Sequence, residues 1–189
     1  MAFQKATKKQ AKARIGIIGP SGAGKTFTAL SIGTEMGKKI AFIDTERGSA
    51  SKYADKFNFD VMELENYHPD NFIKGISEAE QADYDVLIID SLSHAWMGTG
   101  GVLEIVDETT LKSKSGNAFT SGWREASPLH KKLIDKMLSS KLHLIATMRS
   151  ETEYILEDDR FISPQSLKRY AEDKLKELAN PQFSYQAAV

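Results

Sequence analysis

The chain predicts a three-layer α/β fold, a parallel sheet flanked by helices on both faces. Two observations carry that expectation. Short runs rich in β-branched residues alternate with segments of helical spacing, and most of these runs are apolar throughout rather than at every second position. Strands buried on both faces read this way. The first run ends in Gly19-Pro20-Ser21-Gly22-Ala23-Gly24-Lys25-Thr26, which fits G-x-x-x-x-G-K-[ST] and stands between a strand and a helix.

Arg14–Ile18 reads as a buried strand, and Phe27–Met36 as a helix with Leu30 and Met36 available to the sheet. Ile40–Asp44 is the second strand, Ser51–Phe57 a short helix, and Asp60–Leu64 a weaker third strand. Pro69 in His68-Pro69-Asp70 suits the first turn of a helix whose Phe72, Ile73, Ile76 and Ala79 share one face. Asp85–Asp90 is the clearest buried strand. A helix around Val102–Thr110, a polar stretch from Lys112 to Gly122, a helix over Trp123–Ser140 with Pro128 near its start, and a fifth strand over Leu142–Thr147 follow. Beyond it, Thr152–Leu156 and Arg160–Ile162 flank Asp158-Asp159 as a small hairpin. Ser163-Pro164 then opens a helix in which Leu167, Tyr170, Ala171, Leu175 and Leu178 form one stripe, fit to dock on the sheet domain or to bind a partner. The domain reading is a basic arm over 1–13, a core over 14–162, and a C-terminal amphipathic helix and tail over 163–189.

A chain of 189 residues, 41% hydrophobic and 27% charged, suits one domain with a real core. The absence of cysteine excludes disulfide scaffolds, Cys-ligated zinc and thiol chemistry. No apolar run has membrane-span length and the N-terminus lacks a signal-peptide pattern, so a cytoplasmic protein without a membrane partner is expected. Net charge is −1, yet Lys5, Lys8, Lys9 and Lys12 precede Arg14 without any acidic residue. Such an arm suits either phosphate contact or a solvated terminus.

The chemistry centres on Gly19, Pro20, Ser21, Gly22, Ala23, Gly24, Lys25 and Thr26, with Phe27 next in line. Glycines let backbone N–H groups converge on phosphate oxygens at a helix N-terminus. Lys25 would reach the β- and γ-phosphates of ATP, and Thr26 would offer its hydroxyl to Mg²⁺. Asp90, closing an apolar strand, sets a carboxylate beside the phosphates where it holds Mg²⁺ directly or through water. Glu46, just past the second strand, is placed to orient and polarise a water attacking the γ-phosphate. Asp44 competes for that role but lies nearer the sheet, which favours a structural part. The four histidines show no metal-ligand spacing.

The Gly19–Thr26 loop, the Ile43-Asp44-Thr45-Glu46 run and the Leu87–Ser91 run together resemble the RecA/RadA-type ATPase core. Asp90 to Trp96 and Ala146 to Ser150 bring the resemblance closer to phage-encoded RecA-like, AAA-type ATPases of single-strand annealing and recombination, over roughly residues 14–156. The resemblance implies a RecA-like sheet with the fifth strand between the phosphate-loop strand and the Asp90 strand. It makes Glu46 the catalytic base and Thr147 a γ-phosphate sensor, and it brings Arg149 to a phosphate in cis or across a subunit interface. Cofactors follow as ATP and Mg²⁺, and partners as ATP or ADP, single-stranded DNA, further copies of the chain and a single-strand-binding protein. A phage protein would work in the bacterial host cytoplasm.

The DNA-contacting loop would be Lys112 to Arg124, whose Phe119 and Trp123 either stack on bases or anchor the loop to the core. Phe3-Gln4-Lys5-Ala6 fits the F-x-x-A pattern by which recombinases dock on a neighbouring subunit. The chain departs from recombinases in having no clear strands after the hairpin. It also carries Met148 and Arg149 where they place a glutamine or asparagine. Two other functions fit the loop: a small-molecule kinase, and an ATP-driven switch or assembly factor indifferent to DNA.

Overall fold

The computed structural model describes residues 11–113, 117 and 121–150, together with the backbone of 156–157 and 160–161. Five strands, β1 (Arg14–Gly19), β2 (Ile40–Asp44), β3 (Asp60–Glu63), β4 (Val86–Asp90) and β5 (His143–Arg149), form one parallel sheet in the order β1-β5-β4-β2-β3. β5 lies between β1 and β4, as the RecA-like pattern implies. Crossovers are made by α1 (Lys25–Met36), α2 (Pro69–Gln81), α3 (Ser93–Met97), α4 (Val102–Lys112) and α5 (Trp123–Ser139).

β4 is the spine, buried at every position, and its side chains alternate between two cores. Val86 and Ile88 pack with Ala29 and Leu30 of α1 and with Phe42 and Ile145. Leu87 and Ile89 face the other way, against Phe72 and Ile76 of α2, Leu133 of α5, Ile43 and Leu144. Each such side chain, fully buried, contributes about 1.5–3 kcal/mol of transfer free energy. α4 and α5 close a smaller cluster of Val102, Val106 and Ala126, against which Trp123 packs.

Several elements differ from the sequence expectation. The short helix expected over Ser51–Phe57 is a 3₁₀ turn at Ala50–Tyr53. β4 begins at Val86, one residue later than expected, and the Asp85 carboxylate accepts the backbone N–H groups of Lys38 and Lys39 at 2.9 and 3.0 Å. β5 runs on to Arg149, carried by pairing with β1 through Ile18↔Met148 and Gly19↔Arg149. Pro128 lies inside α5, a full turn beyond its start. Trp96 of α3 is 37% exposed.

Residues 1–150 and 151–189 are two compact units. In the second, β6 (Leu156–Glu157) and β7 (Arg160–Phe161) pair antiparallel, a hairpin about Asp158-Asp159 whose first strand, among the described residues, begins later than the expected Thr152–Leu156. The basic arm at Lys5, Lys8 and Lys9, the F-x-x-A stretch and the C-terminal amphipathic helix lie outside the described residues. No helix among the described residues is long and apolar enough to cross a membrane.

Candidate nucleotide site

β1 ends at Gly19 and the chain turns sharply into α1. Gly22 and Gly24 hold φ of 77° and 78°, the left-handed region. A Cβ at either would meet nothing within 4 Å, so the requirement is conformational rather than steric. Lys25 opens α1 with 8% exposure, and its Nζ donates to the Pro20 carbonyl at 2.8 Å. This curls the loop around its own lysine at the N-terminus of α1, an end at which an anion is favoured.

Asp90 is the buried centre of the site, 1% exposed at the end of β4. Thr26 donates its hydroxyl to Asp90 Oδ2 at 2.5 Å, and Thr147 donates to Oδ1. No cation pairs with this carboxylate among the described residues, and burial pushes its pKa up against the opposing pull of the two hydroxyls. A buried carboxylate beside a hydroxyl, both hard oxygen donors, fits a divalent cation that takes its remaining ligands from phosphate and water. Thr26 and Asp90 would hold Mg²⁺ there.

Glu46 follows β2, whose Asp44 stands in register with Asp90. Its position is set by Asp44, fully buried, which accepts the Glu46 N–H at 2.6 Å and the Ala50 N–H at 3.1 Å. Asp44 thus shapes the turn, and Glu46 points out of it. Arg149, from the end of β5, reaches Glu46 Oε1 through Nε at 3.0 Å and Nη2 at 2.7 Å. Its guanidinium is therefore engaged with a carboxylate in this structure. Thr147 is fully buried and engaged with Asp90.

A cleft of about 200 Å³ is lined by Ser21, Gly22, Gly24, Lys25, Thr26, Glu46 and Asp90, and also by Ser49, Lys52 and Tyr53. Phe27 flanks it, 44% exposed, with its ring 6.0 Å from Tyr53 and 5.3 Å from Phe57. Sequence reasoning brought Gly19 to Phe27, Glu46 and Asp90 to one site but missed Ser49, Lys52 and Tyr53. The signal for Tyr53 was its short distance in sequence from Glu46, which keeps the 3₁₀ turn at the same edge of the sheet.

Behind this cleft lies a second network that sequence reasoning did not foresee. Thr45 Oγ1 accepts the Ser91 N–H at 2.7 Å and lies 2.6 Å from His94 Nδ1, and the His94 ring stacks on Tyr67 at 4.9 Å. Burial is the largest influence lowering the His94 pKa, followed by the Arg149 charge. Thr45 Oγ1 also donates to the Ser91 carbonyl at 3.1 Å, so Thr45, Ser91 and His94 tie the ends of β2 and β4 together one residue from Glu46 and from Asp90.

Of the loop expected to meet DNA, Lys112, Ser113, Asn117 and residues 121–124 are described. Lys112 pairs with Glu108 at 2.9 Å, and the Trp123 ring lies 5.7 Å from Trp96. Phe119 lies outside the described residues.

A stretch of 86 residues is 37% identical to Protein RecA of Clostridium beijerinckii, covering 42% of this chain. The match spans about a quarter, 24%, of the length of that protein. A family model described as an AAA domain matches residues 11–180. With a phosphate-binding loop between β1 and α1, a five-stranded parallel sheet behind it and that match over most of its length, the chain belongs to the AAA domain family of P-loop proteins.

Proposed function

We propose that the protein is a Mg²⁺-dependent ATPase of RecA-like type that works in phage DNA recombination or single-strand annealing. The observation that carries the ATPase part is the convergence of Thr26, Asp90 and Thr147 in one hydrogen-bonded chain, with Glu46 on the same cleft. Lys25 and the loop amides bind the β- and γ-phosphates, and Thr26 and Asp90 take the metal. Mg²⁺ held by Thr26 and Asp90 would neutralise charge on the phosphates. Glu46 orients the attacking water and takes its proton. Thr147 fixes Asp90 from the side away from the loop, so the carboxylate keeps one direction as ligands enter and leave.

The DNA part rests on the likeness to Protein RecA and on the Lys112–Arg124 stretch, rich in glycine, serine and cations. Single-stranded DNA, a single-strand-binding protein and further copies of the chain are the partners this reading predicts. The kinase reading fits less well, because Arg149 is committed to Glu46 rather than free to cover a transferring phosphoryl group.

ATP hydrolysis measured with and without single-stranded DNA tests both parts. DNA-stimulated turnover supports the recombination role. Turnover that ignores DNA leaves the ATPase and moves the function to the protein-partnered switch.

A further inference from the structure

We propose that Arg149 is a positioning residue for Glu46: it grips one oxygen of the carboxylate across the end of β4 and leaves the other to take the proton of the attacking water. This rests on the ATPase reading above. In the sheet order β1-β5-β4-β2, Arg149 ends β5 and Glu46 follows β2, so their ion pair closes over the intervening β4, at whose tip Asp90 sits. Both ends of this strap are anchored. The Arg149 N–H donates to Ser93 Oγ at 2.9 Å, and the Ser150 N–H to the Gly19 carbonyl at 3.1 Å. The Glu46 N–H is held by Asp44 Oδ1 at 2.6 Å.

The pairing is asymmetric. Nε and Nη2 both donate to Oε1, and Oε2 receives no hydrogen bond from the described residues. Glu46 needs such a grip. It stands at the start of a turn in which Arg47 and Gly48 have φ of 53° and 79°, and three side-chain torsions separate its carboxylate from that backbone. A carboxylate left to wander would spend little time aligned with water and γ-phosphorus, and misplacement by about 1 Å can cost on the order of 10²-fold in rate. In the step served, the water oxygen bonds to the γ-phosphorus, its proton goes to Glu46 Oε2, and the bridging P–O bond breaks to release ADP. Arg149 exchanges no proton. A lysine offers a single mobile ammonium in place of the planar fork, so it replaces the arginine only in part.

Arg149→Met and Arg149→Lys, each alone and combined with Glu46→Gln, test the assignment. Turnover, KM, titration with ATP and with ADP, and nucleotide-free urea stability are measured. Arg149→Met is expected to lower kcat about 10–100-fold while both nucleotide affinities stay within about twofold, and Arg149→Lys recovers part of the loss. The double variant is no slower than Glu46→Gln alone, and the two single losses of nucleotide-free stability do not add, as for residues in contact. Weaker binding of ATP but not ADP, with a rate loss that adds to that of Glu46→Gln, would place Arg149 on the γ-phosphate instead. A faster Arg149→Met would make the pair a lock, and an unchanged one would make it idle; each overturns the positioning role alone. A wild type without ATPase activity overturns the ATPase reading itself, whereas a Glu46→Gln variant of wild-type rate overturns Glu46 as the base and the positioning role with it.

Discussion

Asp90 shows how a single side chain sets the character of the site. Its carboxylate is buried against two hydroxyls with no counter-charge among the described residues, a costly state for an anion. Asp90→Asn keeps the shape and removes the charge. Its nucleotide-free stability should equal or exceed wild type by up to about 2 kcal/mol, while the extra stabilisation that Mg²⁺-ATP gives wild type should be lost; thermal melts with and without Mg²⁺-ATP check both halves. Lys25→Ala should abolish nucleotide binding in a titration with ATP, because among the described residues only Lys25 and Lys52 bring a cation to the cleft and Lys25 is the one that belongs to the phosphate loop. His94 supplies a pH prediction. Its pKa is held below the ordinary 6.5, so the neutral form is the one the fold prefers. Its contribution to stability is complete above the unfolded-state value and is lost as pH falls through the lower folded-state value. Urea denaturation of wild type beside His94→Gln, between about pH 7 and 5, should show a steeper acid loss in wild type.

At the scale of elements, the strands were legible because each is a run of apolar, β-branched residues, and α2 because Pro69 and a stripe from Phe72 to Ala79 mark its start and its buried face. The elements that escaped or shifted were those fixed by distant contacts. α3 has only five residues and no side-chain cap, and it is held by Leu92 and Ser93 bonding to β5. The last two residues of β5, including Arg149, are strand only because β1 pairs with them. The same reason hid the Arg149–Glu46 pair, 103 positions apart in sequence. The turn from α1 to β2 offers an element-level prediction. A Cβ at Gly37 would lie 2.3 Å from Asp85 Cβ and 3.0 Å from Val86 Cγ2. Gly37→Ala should therefore force α1 away from β4 and cost about 1–3 kcal/mol in urea denaturation.

In the unit formed by residues 1–150, the site is a product of sheet order. Parallel strands bring the C-terminal ends of β1, β2, β4 and β5 to one edge, where the phosphate loop, Glu46, Asp90 and Thr147 meet. The loop, Glu46 and Asp90 could be named from the sequence because their residue types and strand-end placement match what phosphate, water and metal require. The order that makes them neighbours came from the family likeness, since periodicity says which segments are strands and not which strands touch. The apolar groove of Ile18, Trp96, Met97, Leu133 and Met148 beside Arg149 was invisible for that reason, as its residues come from four separate segments.

The most direct test is single-turnover ATP hydrolysis by wild type and Glu46→Gln, with ATP affinity measured on the same samples. The account predicts equal affinity and a rate lower by about 10²–10⁴-fold in the variant. Hydrolysis at the wild-type rate by Glu46→Gln would contradict it.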